Sequence, residues 1–241
     1  MTNGTSQGLF VVVAIVIFGI FTLISYLLFK ENLKQTLANI FTDGLEQTDS
    51  NLSGVIKEKY LTWLVFDNEI NVTGLSEIAY KNGVVRPQFK TIILPETVDG
   101  EDLKILNFNN FNTTHGHEGF IGVEKIVGNS SLQGVAPLAT GEESIKELDL
   151  SKTKVESVFQ YFTKDSHLKK VTFGKHMKKL SYGIFQGKYL EEITFTNTTD
   201  FEYIDSMAFY GMNTNITLNA PKELKIQLSK FENKFKTINY F

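Results

Sequence analysis

Hydrophobic side chains follow three successive patterns along the chain. From Gly8 to Phe29 (GLFVVVAIVIFGIFTLISYLLF), 22 residues pass without a charge. At a rise of about 1.5 Å per residue this is roughly 33 Å of helix, enough to cross a hydrocarbon core about 30 Å thick. The run predicts a transmembrane helix over 8–29 behind a short tail, 1–7. A cleaved secretory signal fits less well, because its apolar region spans only ~7–15 residues and follows a basic leader. Met1–Gln7 contains no Lys or Arg. From Glu31 to Gln47 the pattern becomes amphipathic: Leu33, Leu37, Ile40, Phe41 and Leu45 share one helical face. This predicts a juxtamembrane helix or stalk over 30–50, ended by Gly44 and the turn-forming TDSNLSG run.

Beyond the stalk the chain repeats with a period near 22 residues. An apolar-x-x-apolar-x-apolar unit recurs as Ile145-Lys-Glu-Leu148-Asp-Leu150, Leu168-Lys-Lys-Val171-Thr-Phe173 and Leu190-Glu-Glu-Ile193-Thr-Phe195. Weaker copies start at Val123 and Asn213, and an earlier one, Phe89-Lys-Thr-Ile92-Ile-Leu94, lies 34 residues before Val123. The excess length is assigned to a loop inserted near 106–120. Three units continue to a second apolar anchor (Val158, Leu180, Ile204) and then an aromatic (Phe162, Phe185, Phe209).

One such unit cannot bury its own apolar face, whereas stacked units make a continuous core with a parallel sheet along one side. The predicted fold is therefore an N-terminal transmembrane helix plus a short solenoid. Each repeat supplies one parallel β-strand and an irregular or 3₁₀ return. Residues 51–88, with the strand-rich Trp63–Thr73, form an N-terminal cap; 89–218 are the repeats; 219–241, with Phe231, Phe235 and Ile238, close the C-terminal end.

The segments LKKVTFGKHMKKLSYGIFQGKYLEEITF and FEYIDSMAFYGMNTNITL resemble BspA-type leucine-rich repeats, in which an L-x-x-I-x-L/F strand alternates with an apolar-x-x-x-AF-x-G/C turn. Ala208-Phe209-Tyr210-Gly211 matches that turn, Ile184-Phe185-Gln186-Gly187 nearly so, and TIILPETVDGEDLKIL resembles the opening unit of the family. The likeness covers about 65–240. It implies a leucine-rich-repeat fold and a surface or secreted binding module without catalytic activity.

Composition narrows the chemistry. The chain has no cysteine, which removes disulfides, thiolate metal sites and cysteine nucleophiles. A net charge of −3 and a single arginine, Arg86, give no electrostatic footprint for nucleic acid. No zinc-protease, nucleophile-elbow or phosphate-loop motif is present. His115-Gly-His117-Glu118 offers donors suited to zinc or nickel, but without a fixed geometry or an evident fourth ligand it reads as a solvated loop. His167 and His176, beside lysines, read as exposed turn residues. No enzyme activity, cofactor or metal is expected.

In an L-x-x-I-x-L strand, the residues flanking the second apolar position point away from the core. Aligned repeats would stack Lys125, Glu147, Lys170 and Glu192 on neighbouring strands with alternating sign. The next column would read Val127, Asp149, Thr172 and Thr194. Lys125, Glu147, Asp149, Lys170, Thr172, Glu192 and Thr194 are thus an internal ladder on a solvated face, or alternatively a polar ligand surface. The lysine pairs 169–170 and 178–179 read as solvated.

The expected partners are a lipid bilayer through 8–29 and a protein or glycan on the solenoid. Lys30 and Lys34 follow the span, and taken alone the positive-inside rule would place the bulk in the cytoplasm. Two lysines are a small bias, and the family resemblance points to the outer face, which is the expectation taken. The alternative is a pilin-like subunit of a surface appendage, self-associating through its N-terminal helix. Against it, the basic leader is absent, and cleavage after Gly8 would leave Val13 rather than Glu at the fifth mature position.

Overall fold

The structure, a computed structural model, describes residues 15–26, 30, 54–108, 119–138, 144–164 and 166–241. Two compact units divide the chain, Met1–Leu52 and Ser53–Phe241. In the first, residues 15–26 are helical with every side chain exposed. The Thr22 hydroxyl donates to the Phe18 carbonyl one turn back, at 2.8 Å. The flanks of the expected span, 8–14 and 27–29, and all of the stalk except the helical Lys30 lie outside the described residues. Among the described residues, no helix is long and apolar enough to cross a membrane.

The second unit is built from short strands. β1 (Leu61–Phe66) and β2 (Glu69–Leu75) form an antiparallel hairpin. Its turn residues, Asp67 and Asn68, have φ of 53° and 62°, the left-handed pair whose twist suits a two-residue turn. β3 (Tyr80–Lys81) and β4 (Val84–Val85) make a smaller hairpin. Next come β5 (Thr91–Ile93), β6 (Thr97–Val98) and β7 (Glu101–Leu106), the last two joined through Asp99-Gly100. Then follow β8 (Lys125–Val127), β9 (Gly134–Val135), β10 (Glu147–Leu150) and β11 (Lys170–Phe173). The remainder are β12 (Lys179–Leu180), β13 (Glu192–Phe195), β14 (Tyr203–Ile204), β15 (Thr217–Ala220) and β16 (Thr237–Tyr240).

Seven strands form one sheet in the order β5-β8-β10-β11-β13-β15-β16, and every neighbouring pair is parallel. Parallel neighbours need a crossover connection. After β10 and β11 it runs through a turn to a second narrow pairing: Ser157 bridges Lys179, and β12 lies parallel to β14. A separate five-stranded sheet holds β1, β2, β7, β6 and β9.

Strand alternation sends Ile92, Ile126, Leu148, Val171, Ile193 and Leu218 inward as one buried row. Phe162, Phe185 and Phe209, on the return segments, are buried opposite the sheet. Phe185 and Phe209 stack at 5.4 Å, Phe173 and Phe195 at 5.6 Å, and Phe185 meets Phe173 edge-on at 6.1 Å. Each such pair contributes about 0.5–1.5 kcal/mol beyond area burial. Phe231 and Phe235 pack on Phe209 at 4.8 and 5.1 Å and cover the C-terminal end of this column.

One register differs from the spacing argument. The copy starting at Asn213 aligns Ile216 with Ile193, but in the structure Leu218 is the residue opposite Ile193. The return through Gly211 (φ 70°) and the Asn213–Asn215 turn takes up two extra residues and displaces the strand by the same amount. A further strand, β16, lies where the sequence suggested only a cap. Its signal is Phe235-Lys-Thr-Ile238-Asn-Tyr240, the same apolar spacing once more.

Candidate functional site

Pairing of the parallel strands places Lys125, Glu147, Lys170 and Glu192 in one row. Lys125 and Glu147 form an ion pair at 3.0 Å, and Lys170 and Glu192 one at 3.9 Å. The next outward row holds Val127, Asp149, Thr172 and Thr194 and continues through Asn219 to Asn239. Here the polar groups largely serve one another. The Ser151 backbone N–H donates to Asp149 Oδ1 at 2.9 Å, and Thr194 Oγ1 to Glu192 Oε1 at 3.4 Å. Asn219 Nδ2 donates to Thr194 Oγ1 at 3.2 Å, and Asn239 Nδ2 to Asn219 Oδ1 at 2.8 Å. The asparagine end of this ladder was missed from sequence, because it depends on the shifted register of β15.

Three of the four lysines in the pairs 169–170 and 178–179 are also met by acidic side chains of the chain itself. Lys169 pairs with Glu191 at 2.9 Å, and Lys178 lies between Glu156 (2.9 Å) and Glu202 (3.5 Å). A shared backbone motif sets these partners. The N–H groups of Lys169 and Lys170 both bond the Lys146 carbonyl, those of Glu191 and Glu192 bond Lys169, and those of Lys178 and Lys179 bond Glu156. The hydrogen bond and charge of Lys178 hold the Glu156 carboxyl below its ordinary pKa, and Glu156 in turn raises that of Lys178. Both groups are open to solvent, so the pair acts as a register mark rather than a large source of stability.

The remaining sequence candidates hold less. His115, His117 and Glu118 lie outside the described residues. Among the described residues, no group of three or more potential ligands is placed to hold a metal ion. His167 is half-buried rather than exposed, its ring stacked on Tyr189 at 4.5 Å, and His176 is likewise half-buried.

No protein-family model, curated protein or solved structure matches the chain.

A second surface, on the return segments, was not read from sequence. Five of the nine tyrosines (Tyr161, Tyr182, Tyr189, Tyr203 and Tyr210) fall within 161–210. Tyr161 and Tyr210 are 40% and 50% exposed, and Tyr182, half-buried between them, meets Tyr161 edge-on at 5.5 Å and Tyr210 at 5.8 Å. Desolvation and the adjacent Tyr161 hydroxyl push the Tyr182 phenol above its ordinary pKa. Tyr161 has φ 58°, a left-handed conformation that costs a bulky residue on the order of 1–3 kcal/mol. Gly183 has the same conformation in the next segment (φ 57°), and a Cβ built there would lie 3.2 Å from the Tyr161 ring. Beside these rings lies an open recess of about 510 Å³, lined by Pro137, Ser157, Val158, Phe159, Gln160 and Ser181. The sequence signal was present: an aromatic at Tyr161, Tyr182 and Tyr210 in addition to the core phenylalanine of each segment.

Proposed function

We propose that this chain is a membrane-anchored, non-enzymatic recognition module of leucine-rich-repeat type. The apolar helix within 8–29 tethers it. A short solenoid over 89–218, capped by 51–88 and 219–241, stands at the cell surface and binds a protein or glycan. The observation that carries this reading is the seven-strand parallel sheet, assembled in chain order with its polar rows outward. Stacking of that kind yields a long, even surface whose outward positions vary without disturbing the core, which suits recognition.

The tether reading draws on the helix over 15–26. Its exposed side chains include Phe18 at 71% and Phe21 at 68%, an apolar surface that calls for a non-aqueous cover. Hydrocarbon suits the uncharged length of 8–29. With its hydroxyl returned to the Phe18 carbonyl, Thr22 makes no demand on lipid.

The test is protease shaving of intact cells combined with N-terminal sequencing of the detergent-extracted protein. Loss of residues beyond 50, with a monomer starting at Met1, is the expected result. Full protection would place the repeats in the cytoplasm, and a processed N-terminus in polymers would identify an appendage subunit instead.

A further inference from the structure

The seven-strand sheet ends differently at its two sides. Beyond β5, Val55 bridges Ile93 in parallel and the Ile56 N–H donates to the Ile93 carbonyl at 2.9 Å, so the chain covers that edge itself. Beyond β16, no further strand follows among the described residues. The Phe241 N–H bonds the Ala220 carbonyl, and alternation turns the backbone groups of Thr237 and Asn239 toward β15 as well. The N–H and C=O groups of Ile238 and Tyr240 therefore face away from the sheet. The side-chain layer is open on the same side. From Ile92 to Leu218 the inward row is at most 1% exposed, whereas Ile238 and Tyr240, which continue it, are only half-buried. Outward backbone groups beside half-covered apolar side chains are what one more strand would cover.

Charge decides which strand. Residues 219–241 carry five lysines against Glu223 and Glu232, a net of +3 in a chain whose net charge is −3. All five lysines are exposed, and among the described residues none is in an ion pair, unlike Lys90, Lys125 and Lys169 along the sheet. They stand at both ends of the open strand. Lys236 immediately precedes β16. At the other end the Lys222 N–H bonds the Phe241 carbonyl at 3.1 Å, and the Lys225 ammonium lies 5.7 Å from the centre of the Tyr240 ring. A second copy is poorly matched to this edge. Two β16 strands paired about a two-fold axis would bring both sets of lysines together, and like charges across such a contact repel. Stacking on the β5 of another copy is blocked by Val55 and Ile56. An anionic bilayer would satisfy the lysines but not the aligned N–H and C=O groups.

We propose that β16 is a docking edge for an acidic polypeptide segment, which extends the parallel sheet by one strand. Its backbone bonds Ile238 and Tyr240, its alternate apolar side chains cover theirs, and its carboxylates reach Lys225 and Lys236. This proposal rests on the recognition reading above and narrows its partner to a protein segment of stated charge and conformation.

The test uses the full chain in neutral detergent micelles and a labelled peptide of alternating glutamate and valine, about ten residues long, followed by fluorescence anisotropy. Two companions carry lysine in place of glutamate, or the acidic sequence with every backbone nitrogen methylated. The acidic peptide is expected to bind with a Kd below about 100 μM, and both companions at least about tenfold more weakly. Amide exchange followed by NMR should slow at Ile238 and Tyr240 when the acidic peptide is added. Lys225→Glu combined with Lys236→Glu alters only exposed positions, so the melting temperature should hold. Affinity for the acidic peptide should fall about tenfold or more, and affinity for the lysine peptide should rise. Absence of binding at about 1 mM acidic peptide overturns the proposal. Equal binding of the methylated peptide also overturns it, since the contact would then be one of charge alone. So does unchanged exchange at Ile238 and Tyr240 in the bound state. Protection of those two amides by dimerisation of the chain would give the edge to a second copy, and protection by phosphatidylserine alone would give it to a membrane; either result overturns the proposal. Cell-surface shaving, which does not involve the peptide, decides the recognition module separately.

Discussion

Replacing Glu147 with lysine inverts one rung of the charge row without touching the core. Glu147 is half-buried between Lys125 and Lys170, and its side chain is 38% exposed in the 3.0 Å pair with Lys125. Glu147→Lys removes that pair and sets three lysines on consecutive strands, about 4.8 Å apart. A lost cross-strand ion pair costs about 0.2–1 kcal/mol, and each new like-charge neighbour costs a similar amount. The sum is on the order of 1–2 kcal/mol, or about 3–6 °C in melting temperature for a domain of this size. Thermal unfolding followed by circular dichroism should show this at low ionic strength. Because these groups are open to water, most of the loss should vanish at about 1 M salt, where the screening length falls to about 3 Å. The fourfold inversion Lys125→Glu, Glu147→Lys, Lys170→Glu, Glu192→Lys restores alternation, and its flanking row members, Thr91 and Thr217, are neutral. That variant should melt close to the wild type. An unchanged melting point for Glu147→Lys in low salt, or a drop that salt and the inversion both leave in place, would refute the ladder.

Three further outcomes follow from other parts of the second unit. Phe185→Ala empties a fully buried site between Phe173 and Phe209, and should cost about 3–5 kcal/mol, lowering the melting temperature by on the order of 10 °C. Gly174→Ala would drive a Cβ into the Ser151 carbonyl of the preceding segment; a net loss of about 1–3 kcal/mol is expected in urea unfolding despite the entropy gained by removing a glycine. Partial burial raises the Glu96 carboxyl, but the N–H and hydroxyl groups of Ser130 and Ser131 donate to it at 2.9–3.1 Å and together hold its pKa below the ordinary 4.5. Its contribution to stability is therefore complete above about pH 4.5 and lost as pH falls through the lowered value. Glu96→Gln should be less stable than the wild type at pH 7, and the gap should close in acid; a gap independent of pH would remove this assignment.

The sequence spells out whatever obeys the repeat, and conceals whatever depends on loop length or on faces outside the strands. Because the steps between Val123, Ile145, Leu168 and Leu190 are 22 or 23 residues, facing residues on β8, β10, β11 and β13 can be written down by counting. Counting fails at β15, where the return past Gly211 is longer and strand alternation alone cannot say by how much. The Asn219–Asn239 contact failed with it. The tyrosine strip was hidden for another reason. Tyr161, Tyr182 and Tyr210 share no single offset from the preceding strand, so alignment on L-x-x-I-x-L does not bring them together. Their proximity depends on how each return segment bends, and the left-handed geometry at Tyr161 and Gly183 is a property of the backbone rather than of the spacing.

Mutual satisfaction separates the two outward surfaces. On the strand face, the same alternation that turns Lys125, Glu147, Lys170 and Glu192 outward also sets opposite charges beside one another. Thr194, Asn219 and Asn239 extend the ladder by hydrogen bonds along the sheet. A ligand docking there would have to break those contacts before making its own, and each exchange of one polar partner for another returns only about 0.5–1.5 kcal/mol. On the return segments, Tyr161 and Tyr210 keep 40% and 50% of their surface open to water, with Tyr182 between them and Lys164 over the Tyr161 ring. The stacked strands hold register through their own ion pairs and hydrogen bonds, and the return segments are held in place by the phenylalanine column beneath them.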